Sequence, residues 1–276
     1  MKKTMIALAA GAMALTACTS APKQETAETE TAPKALVLYY SQTGTTQKVA
    51  EEIQQLTGAD MATFDVQEAY PSDYNETIQR CLKEQESGEV PALAELSVNV
   101  ADYDVIYLGY PIWFGTYATP VASLLKEVDF NGKTIVPFTT FGSVGRTQAQ
   151  KDLQEKCPGA TVMESFGIRT AHVDKAPAKV AEFLKKSGLI EGEYTQLPEF
   201  SAMADVTADD VALFKAATES YTMLKATAKQ VASREIPEGT EFKFACENDT
   251  DKAPMFVYVV KSNTEGVAPD FTEVER

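Results

Sequence analysis

The chain has 276 residues with 25 basic and 40 acidic side chains, a formal net charge of −15. That balance argues against nucleic acid or an anionic membrane surface as a partner. With 44% hydrophobic residues, the length suffices for one full core and a smaller second one.

The first segment reads as an export signal. Lys2-Lys3, an apolar stretch from Met5 to Leu15, and then Leu15-Thr16-Ala17-Cys18 form a signal peptide ending in a lipobox. Residues 1–17 are therefore expected to be removed and Cys18 lipidated. The rival is an ordinary signal-peptidase cut after Thr19-Ser20-Ala21, but Pro22 would then follow the scissile bond and oppose cleavage. The apolar run is too short to remain as a membrane span. Residues 18–32, rich in Thr, Ala, Glu and Pro and without a large apolar side chain, read as a disordered tether. The expected location is the bacterial cell envelope, on the periplasmic or surface face, with the N-terminal lipid as the only membrane contact.

Leu36-Val37-Leu38-Tyr39-Tyr40 is a buried strand that stops at Ser41-Gln42-Thr43-Gly44-Thr45-Thr46. A helix follows, with Val49, Ile53 and Leu56 on one face and Gly58 past its end. The turn thus sits on a helix N-terminus, where free backbone N–H groups and the helix dipole favour an anion and the hydroxyls add donors. No Lys or Arg lies in it, which rules out a Walker-type loop. On these residues alone, a simple Thr N-cap after a strand is the equally open alternative.

A second strand is expected near Met61 to Val66, and Asp73-Tyr74-Asn75-Glu76 resembles a capping box opening a helix to about Glu86, with Tyr74, Ile78 and Cys81 on one face. Asp104 to Gly109 is the third strand, and Tyr110-Pro111-Ile112-Trp113-Phe114-Gly115 follows it, holding the chain's only Trp. After Pro120, Val121, Leu124, Leu125 and Val128 mark a helix. Thr134 to Thr139 is the fourth strand, leading through Thr140-Phe141-Gly142-Ser143-Val144-Gly145 into a helix with Gln148 and Leu153. A fifth strand near Thr161 to Phe166 precedes a helix with Pro177, Val180, Phe183 and Leu184, and Gly188 after it. Strands alternating with helices require a parallel sheet covered on both faces, and ligands bind such sheets beyond the carboxyl ends of the strands. Trp113 reads either as an ordinary partly buried aromatic or, from its place between Pro111 and Gly115, as a platform for a ring. His172, the sole histidine, has no metal-ligand spacing around it and reads as structural. No catalytic residue and no metal site is expected.

At Ser41-Gln42-Thr43-Gly44-Thr45-Thr46, Tyr110-Pro111-Ile112-Trp113-Phe114-Gly115 and Thr139-Thr140-Phe141-Gly142-Ser143 the chain resembles the flavodoxins, in the branch with a Tyr-Pro-Ile-Trp loop. The resemblance covers residues 33–190. It implies an α/β, doubly wound, five-stranded parallel sheet in the order 2-1-3-4-5 and a noncovalent FMN. By resemblance, Ser41 through Thr46 hold the FMN phosphate, Pro111, Ile112, Trp113, Phe114 and Gly115 flank the isoalloxazine, and Thr140, Phe141 and Gly142 touch its pyrimidine edge. One departure is Phe141-Gly142, where the branch often has Ser-Gly-Gly, so the backbone's approach to the ring there is expected to differ.

Beyond Ile190 the periodicity fades, and a second module is expected over residues 206–276. Thr207-Ala208-Asp209-Asp210 is a capping-box pattern, and Val211, Phe214, Ala217, Tyr221, Leu224 and Ala228 give a long amphipathic helix. Glu241 to Cys246 and Met255 to Val260 alternate as strands around an Asn248-Asp249-Thr250-Asp251 turn, with a last short strand near Phe271 to Val274. The acidic turn lacks the Gly and distal Glu of a calcium loop and reads as a solvated hairpin. A helix feeding an antiparallel meander, with Gln230-Val231-Ala232 before the first strand, is similar to the cystatins. That similarity implies a small α+β shape but not protease inhibition, since Ser233 stands where a Gly is expected.

Setting Cys18 aside leaves Cys81, Cys157 and Cys246, an odd number expected mostly as buried thiols. The functional expectation is an electron-transfer flavoprotein whose partner is a redox protein or a small-molecule acceptor. An FMN-dependent NAD(P)H:quinone-type oxidoreductase and a non-redox binding or scaffold protein are the alternatives.

Overall fold

The computed structural model describes Pro33–Arg276, which form one compact unit; the signal peptide, Cys18 and the tether lie outside the described residues. The chain runs β1 (Ala35–Tyr39), α1 (Thr45–Thr57), β2 (Asp60–Thr63), α2 (Tyr74–Ser87), β3 (Val105–Trp113), β4 (Thr116–Tyr117) and α3 (Thr119–Glu127). It continues through β5 (Thr134–Phe141), α4 (Arg146–Lys156), β6 (Thr161–Val162), β7 (Phe166–Arg169) and α5 (Ala176–Lys186). The parallel strands are ordered β2-β1-β3-β5, with β6 and β7 sharing the outer edge of β5. Counting β6 and β7 as one broken strand, this is the expected 2-1-3-4-5 order.

The break in the fifth strand has a local cause. The Ser165 N–H donates to Gln150 Oε1 at 2.9 Å and so leaves the ladder between β6 and β7. The second strand is likewise shorter than expected, and Val66 makes only an isolated bridge to Leu93.

Period-2 alternation divides the strands between two cores. Leu36, Leu38, Ile106, Leu108 and Ile135 face α3 and α4 through Val121, Leu124, Ala149 and Leu153. Val37, Tyr39, Tyr107, Val136 and Phe138 face α1 and α5 through Val49, Ala50, Ile53, Val180 and Leu184. Gly58 ends α1 in the left-handed conformation at φ 69°, its N–H on Gln54 O. Leu56, expected on the buried face, is exposed at the edge of that helix.

The second sheet is antiparallel and holds β8 (Ala204–Asp205), β9 (Ala226–Ile236), β10 (Gly239–Asn248), β11 (Pro254–Ser262) and β12 (Asp270–Glu275) in the order β12-β11-β10-β9-β8. α6 (Ala208–Thr218) packs on it through Phe214 and Ala217, against Phe244, Val257, Val259 and Phe271. The capping box at Thr207 and Asp210 is complete. The long helix to Ala228 is corrected. The helix ends at Thr218, whose hydroxyl turns back to Phe214 O at 2.8 Å, and residues 226–236 pair with β10 instead. Ala228, which seemed to extend a helical stripe, packs on the sheet's core as a strand residue together with Ala226 and Val231. At the hairpin between β10 and β11, the buried Asn248 side chain accepts the N–H groups of Thr250 and Asp251 at 2.8 and 3.3 Å. No helix among the described residues is long and apolar enough to cross a membrane.

Candidate flavin site

The segments beyond the carboxyl ends of β1, β2, β3, β5 and β7 meet around a cavity of about 450 Å³. From the first loop it is lined by Gln42, Thr43, Thr45 and Thr46. Pro111, Ile112, Trp113 and Phe114 come from the second, and Thr140, Phe141 and Gly142 from the third. Ser41, Gly44 and Gly115 do not line the cavity.

Gly44 is the N-cap of α1, at φ 79° with no side chain to offer, so the first-turn N–H groups have no intrahelical acceptor. Space is open where its Cβ would project, so the left-handed backbone rather than crowding selects glycine. Ser41 Oγ accepts the Gln47 N–H at 3.3 Å, a long contact that an anion could displace. The hydroxyls of Thr43 and Thr45 lie 3.3 Å apart at the mouth of the loop. Gln42 is committed elsewhere: its Nε2 donates to Pro71 O at 2.7 Å, and its Oε1 accepts from the Tyr40 hydroxyl. Thr46 is buried, with its hydroxyl 2.8 Å from that of Thr140. A dianionic phosphate fits the N–H groups and free hydroxyls of this loop without a basic side chain.

Trp113 packs as a partly buried aromatic and also faces the cavity. Its ring meets Tyr70 edge-on at 5.0 Å and Tyr40 at 5.8 Å, packs on the buried cluster behind them and lines the cavity in front. Arg80 sits 4.0 Å above the Tyr70 ring and pairs with Glu84 at 2.8 Å, so this wall is braced from outside. Burial raises the pKa of Tyr40, with Asp65 adding to it, and raises that of Tyr70, with the Glu84 hydrogen bond adding to it. Both phenols stay neutral.

β3 and β4 pair Trp113 with Thr116, so Phe114 and Gly115 form a two-residue hairpin turn with φ 49° and 85°. A left-handed Phe is uncommon, and its ring is 52% exposed at the rim of the cavity. Gly145 lets α4 approach this hairpin, since a Cβ there would meet Ile112 Cγ2 at 2.5 Å.

Sequence reasoning missed the loop after β2. Ser72, Tyr74, Thr77, Ile78 and Cys81 also line the cavity, and Tyr74, expected on the buried face of α2, is 76% exposed. Only the N-cap at Asp73, whose side chain accepts the Glu76 N–H at 2.9 Å without the return bond of a full capping box, hinted that a second helix begins here. Cys81 is buried, and burial, reinforced by Glu84, raises its thiol pKa. Cys157 and Cys246 are buried free thiols as well.

A second cavity of about 340 Å³ lies between β7, α5 and the antiparallel sheet. Its polar groups largely answer one another, as in the Arg234–Glu241 ion pair at 2.6 Å and the contact of His172 Nε2 with the Asp270 carboxylate. His172 thus joins the two sheets.

A doubly wound sheet with a hydroxyl-rich turn at a helix N-terminus, an aromatic loop and a third loop around one cavity has the architecture of a flavodoxin. Residues 34–182 match the flavodoxin family, and the chain belongs to it. No curated protein matches the chain. Among solved structures, a flavoprotein from Lactobacillus acidophilus in complex with FMN is 27% identical, covering 52% of this chain and 98% of that one at a TM-score of 0.44. A protein from Bacteroides uniformis assigned as a flavoprotein is 28% identical, covering 55% and 99% at 0.49. Flavodoxin 2 from Bacillus cereus is 19% identical, covering 55% and 99% at 0.37.

Proposed function

We propose that this protein is an electron-transfer flavoprotein that holds FMN without a covalent bond and is anchored by lipid at Cys18 in the bacterial envelope. The observation that carries the redox reading is the cavity itself, on which the three flavodoxin loops converge and at whose rim Phe114 is exposed. Bound there, FMN supplies one- and two-electron chemistry. The chain's own residues do the rest. The α1 N-terminus with Thr43 and Thr45 holds the phosphate, Trp113 excludes water from one side, and the strand order brings the loops together. The acidic surface suits a basic redox protein, and a small-molecule acceptor reaching the rim is the other partner of this reading.

Export supports noncovalent loading outside the cytoplasm. The leader has Lys2-Lys3 but no twin Arg, which fits export of an unfolded chain, and an unfolded chain has no helix N-terminus with which to hold FMN. Two experiments test the proposal. Protein purified from its native envelope should release its flavin on denaturation and, once reduced, pass electrons to a protein acceptor faster than it oxidises NADPH in the presence of a quinone. Faster NADPH oxidation would make it the quinone-type oxidoreductase instead, and a folded native protein without flavin would make it a non-redox binding protein. Cys18→Ser should move the protein from the membrane to the soluble fraction, and retention in the membrane would refute the lipid anchor.

A further inference from the structure

The loop that carries Gly142 is held by the second sheet as well as by its own fold. Arg169, the last residue of β7, is paired with Phe141 of β5 and is 8% exposed. Its Nε donates to Gly142 O at 2.8 Å, and its Nη1 donates to Phe271 O in β12 at 2.7 Å. The guanidinium also lies 3.6 Å above the Phe271 ring. One side chain thereby ties a cavity-lining residue to the antiparallel sheet.

Three further contacts act on the same loop. The Val274 N–H donates to Ser143 O at 2.9 Å, making a parallel bridge between Val144 and Val274. The Tyr221 hydroxyl, from the turn after α6, is 3.0 Å from Ser143 Oγ, and it sits 3.5 Å from where a Cβ on Gly142 would be. Arg146, which opens α4 just past the loop, forms a bidentate pair with Glu273 at 2.7 and 2.8 Å. A planar fork on two carbonyls or on a carboxylate fixes orientation as well as distance. The Thr140–Gly142 segment is therefore clamped from its far side by β12 and Tyr221.

We propose that Arg169 and Tyr221 are positioning residues for the flavin ring: through them the C-terminal sheet sets the conformation of the Thr140–Gly142 loop, so ring binding and docking of that sheet are coupled. The inference rests on FMN occupying the cavity described above. Its ligand is the isoalloxazine common to FMN and riboflavin, not the phosphate, which the opposite loop holds. By linkage, loosening the clamp must weaken binding of the ring to the extent that the ring favours the clamped loop.

The full-length protein, stripped of flavin, is titrated with FMN and with riboflavin while flavin fluorescence is followed, in wild type, Arg169→Lys and Tyr221→Phe. Lysine keeps the charge but cannot hold both carbonyls at once, and phenylalanine loses only the hydroxyl on Ser143. Arg169→Lys is expected to raise both dissociation constants by the same factor, about fivefold or more, the lower end of coupling between linked sites. Tyr221→Phe is expected to raise both by a smaller common factor, with an unchanged far-ultraviolet circular dichroism spectrum. Dissociation constants within twofold of wild type in a folded variant would overturn the proposal, as would a loss confined to FMN, which would place the effect at the phosphate loop. Should Arg169→Lys not fold, Tyr221→Phe decides alone. Wild-type protein that binds neither flavin would overturn the reading of the cavity itself.

Discussion

The hydroxyls of Thr46 and Thr140 lie 2.8 Å apart and buried, and they link the first turn of α1 to the end of β5 across the floor of the flavin cavity. Leaving one of two buried partners unsatisfied costs about 1–3 kcal/mol, whereas removing both together costs far less. Thr46→Val and Thr140→Val are each expected to lose stability in that range, and the double variant to lose less than the sum of the two. Urea unfolding of the flavin-free protein measures it, and additive losses would show that each hydroxyl is satisfied independently.

The proposed phosphate site rests instead on Thr43 and Thr45, whose hydroxyls stand together at the mouth of the loop. A hydrogen bond to a charged acceptor is worth about 1.5–3 kcal/mol, so Thr43→Ala combined with Thr45→Ala should weaken FMN by about tenfold or more. Riboflavin, lacking the phosphate, should bind as before. Equal losses for the two ligands in a fluorescence titration would remove this loop from phosphate binding.

Trp113 serves as both wall and core, so Trp113→Ala should have two effects. Truncating a packed aromatic costs about 3–5 kcal/mol, with the lower end expected here because the ring is only partly buried. Bound flavin should also become more fluorescent as a nearby quencher is lost. Trp113→Phe should recover most of the stability. Chemical denaturation and emission spectra test both parts, and unchanged emission in the alanine variant would confine the indole to the core.

His172 provides a pH test. Burial lowers its pKa, and the nearby Asp270 opposes that shift without overcoming it. A histidine that is harder to protonate in the folded than in the unfolded state contributes stability above its unfolded pKa. That contribution is lost as pH falls from about 6.5 toward the lower folded value. Stability should therefore decline below that pH, and less steeply in His172→Gln. Since the chain has one histidine, a single imidazole resonance reports the folded value by NMR, and a midpoint above 6.5 would reverse the prediction.

The parallel sheet was legible because its strands are buried on both faces and end at loops of unmistakable composition. Ser41 to Thr46 and Pro111 to Phe114 lie where apolar runs stop, so a reader of residues finds them. The loop after β2 was not legible as part of the cavity, because Ser72 and Thr77 look like any polar helix start. Only the neighbouring position of β2 and β1 in the sheet brings them in. The overlong second-module helix had a different cause. Leu224 and Ala228 fit a helical stripe, but Ala226 and Ala228 also alternate as a strand does before a register shift passes the inward face to Val231, and pairing with β10 decided between the two periods. Arg169 and Tyr221 gave no local sign of their role, which exists only where two sheets meet.

The Arg169 contact with Phe271 spans a sequence separation of 102 residues. On a growing or emerging chain, the sheet that carries the cavity can form before β12 exists, while the restraints that Phe271, Glu273 and Val274 place on the Gly142 loop and its flank are still unmade. Were the chain to fold as it emerges, the loop lining the cavity would be shaped early and held late. Flavin that arrives before the last strand docks would meet a looser pocket than flavin that arrives after it.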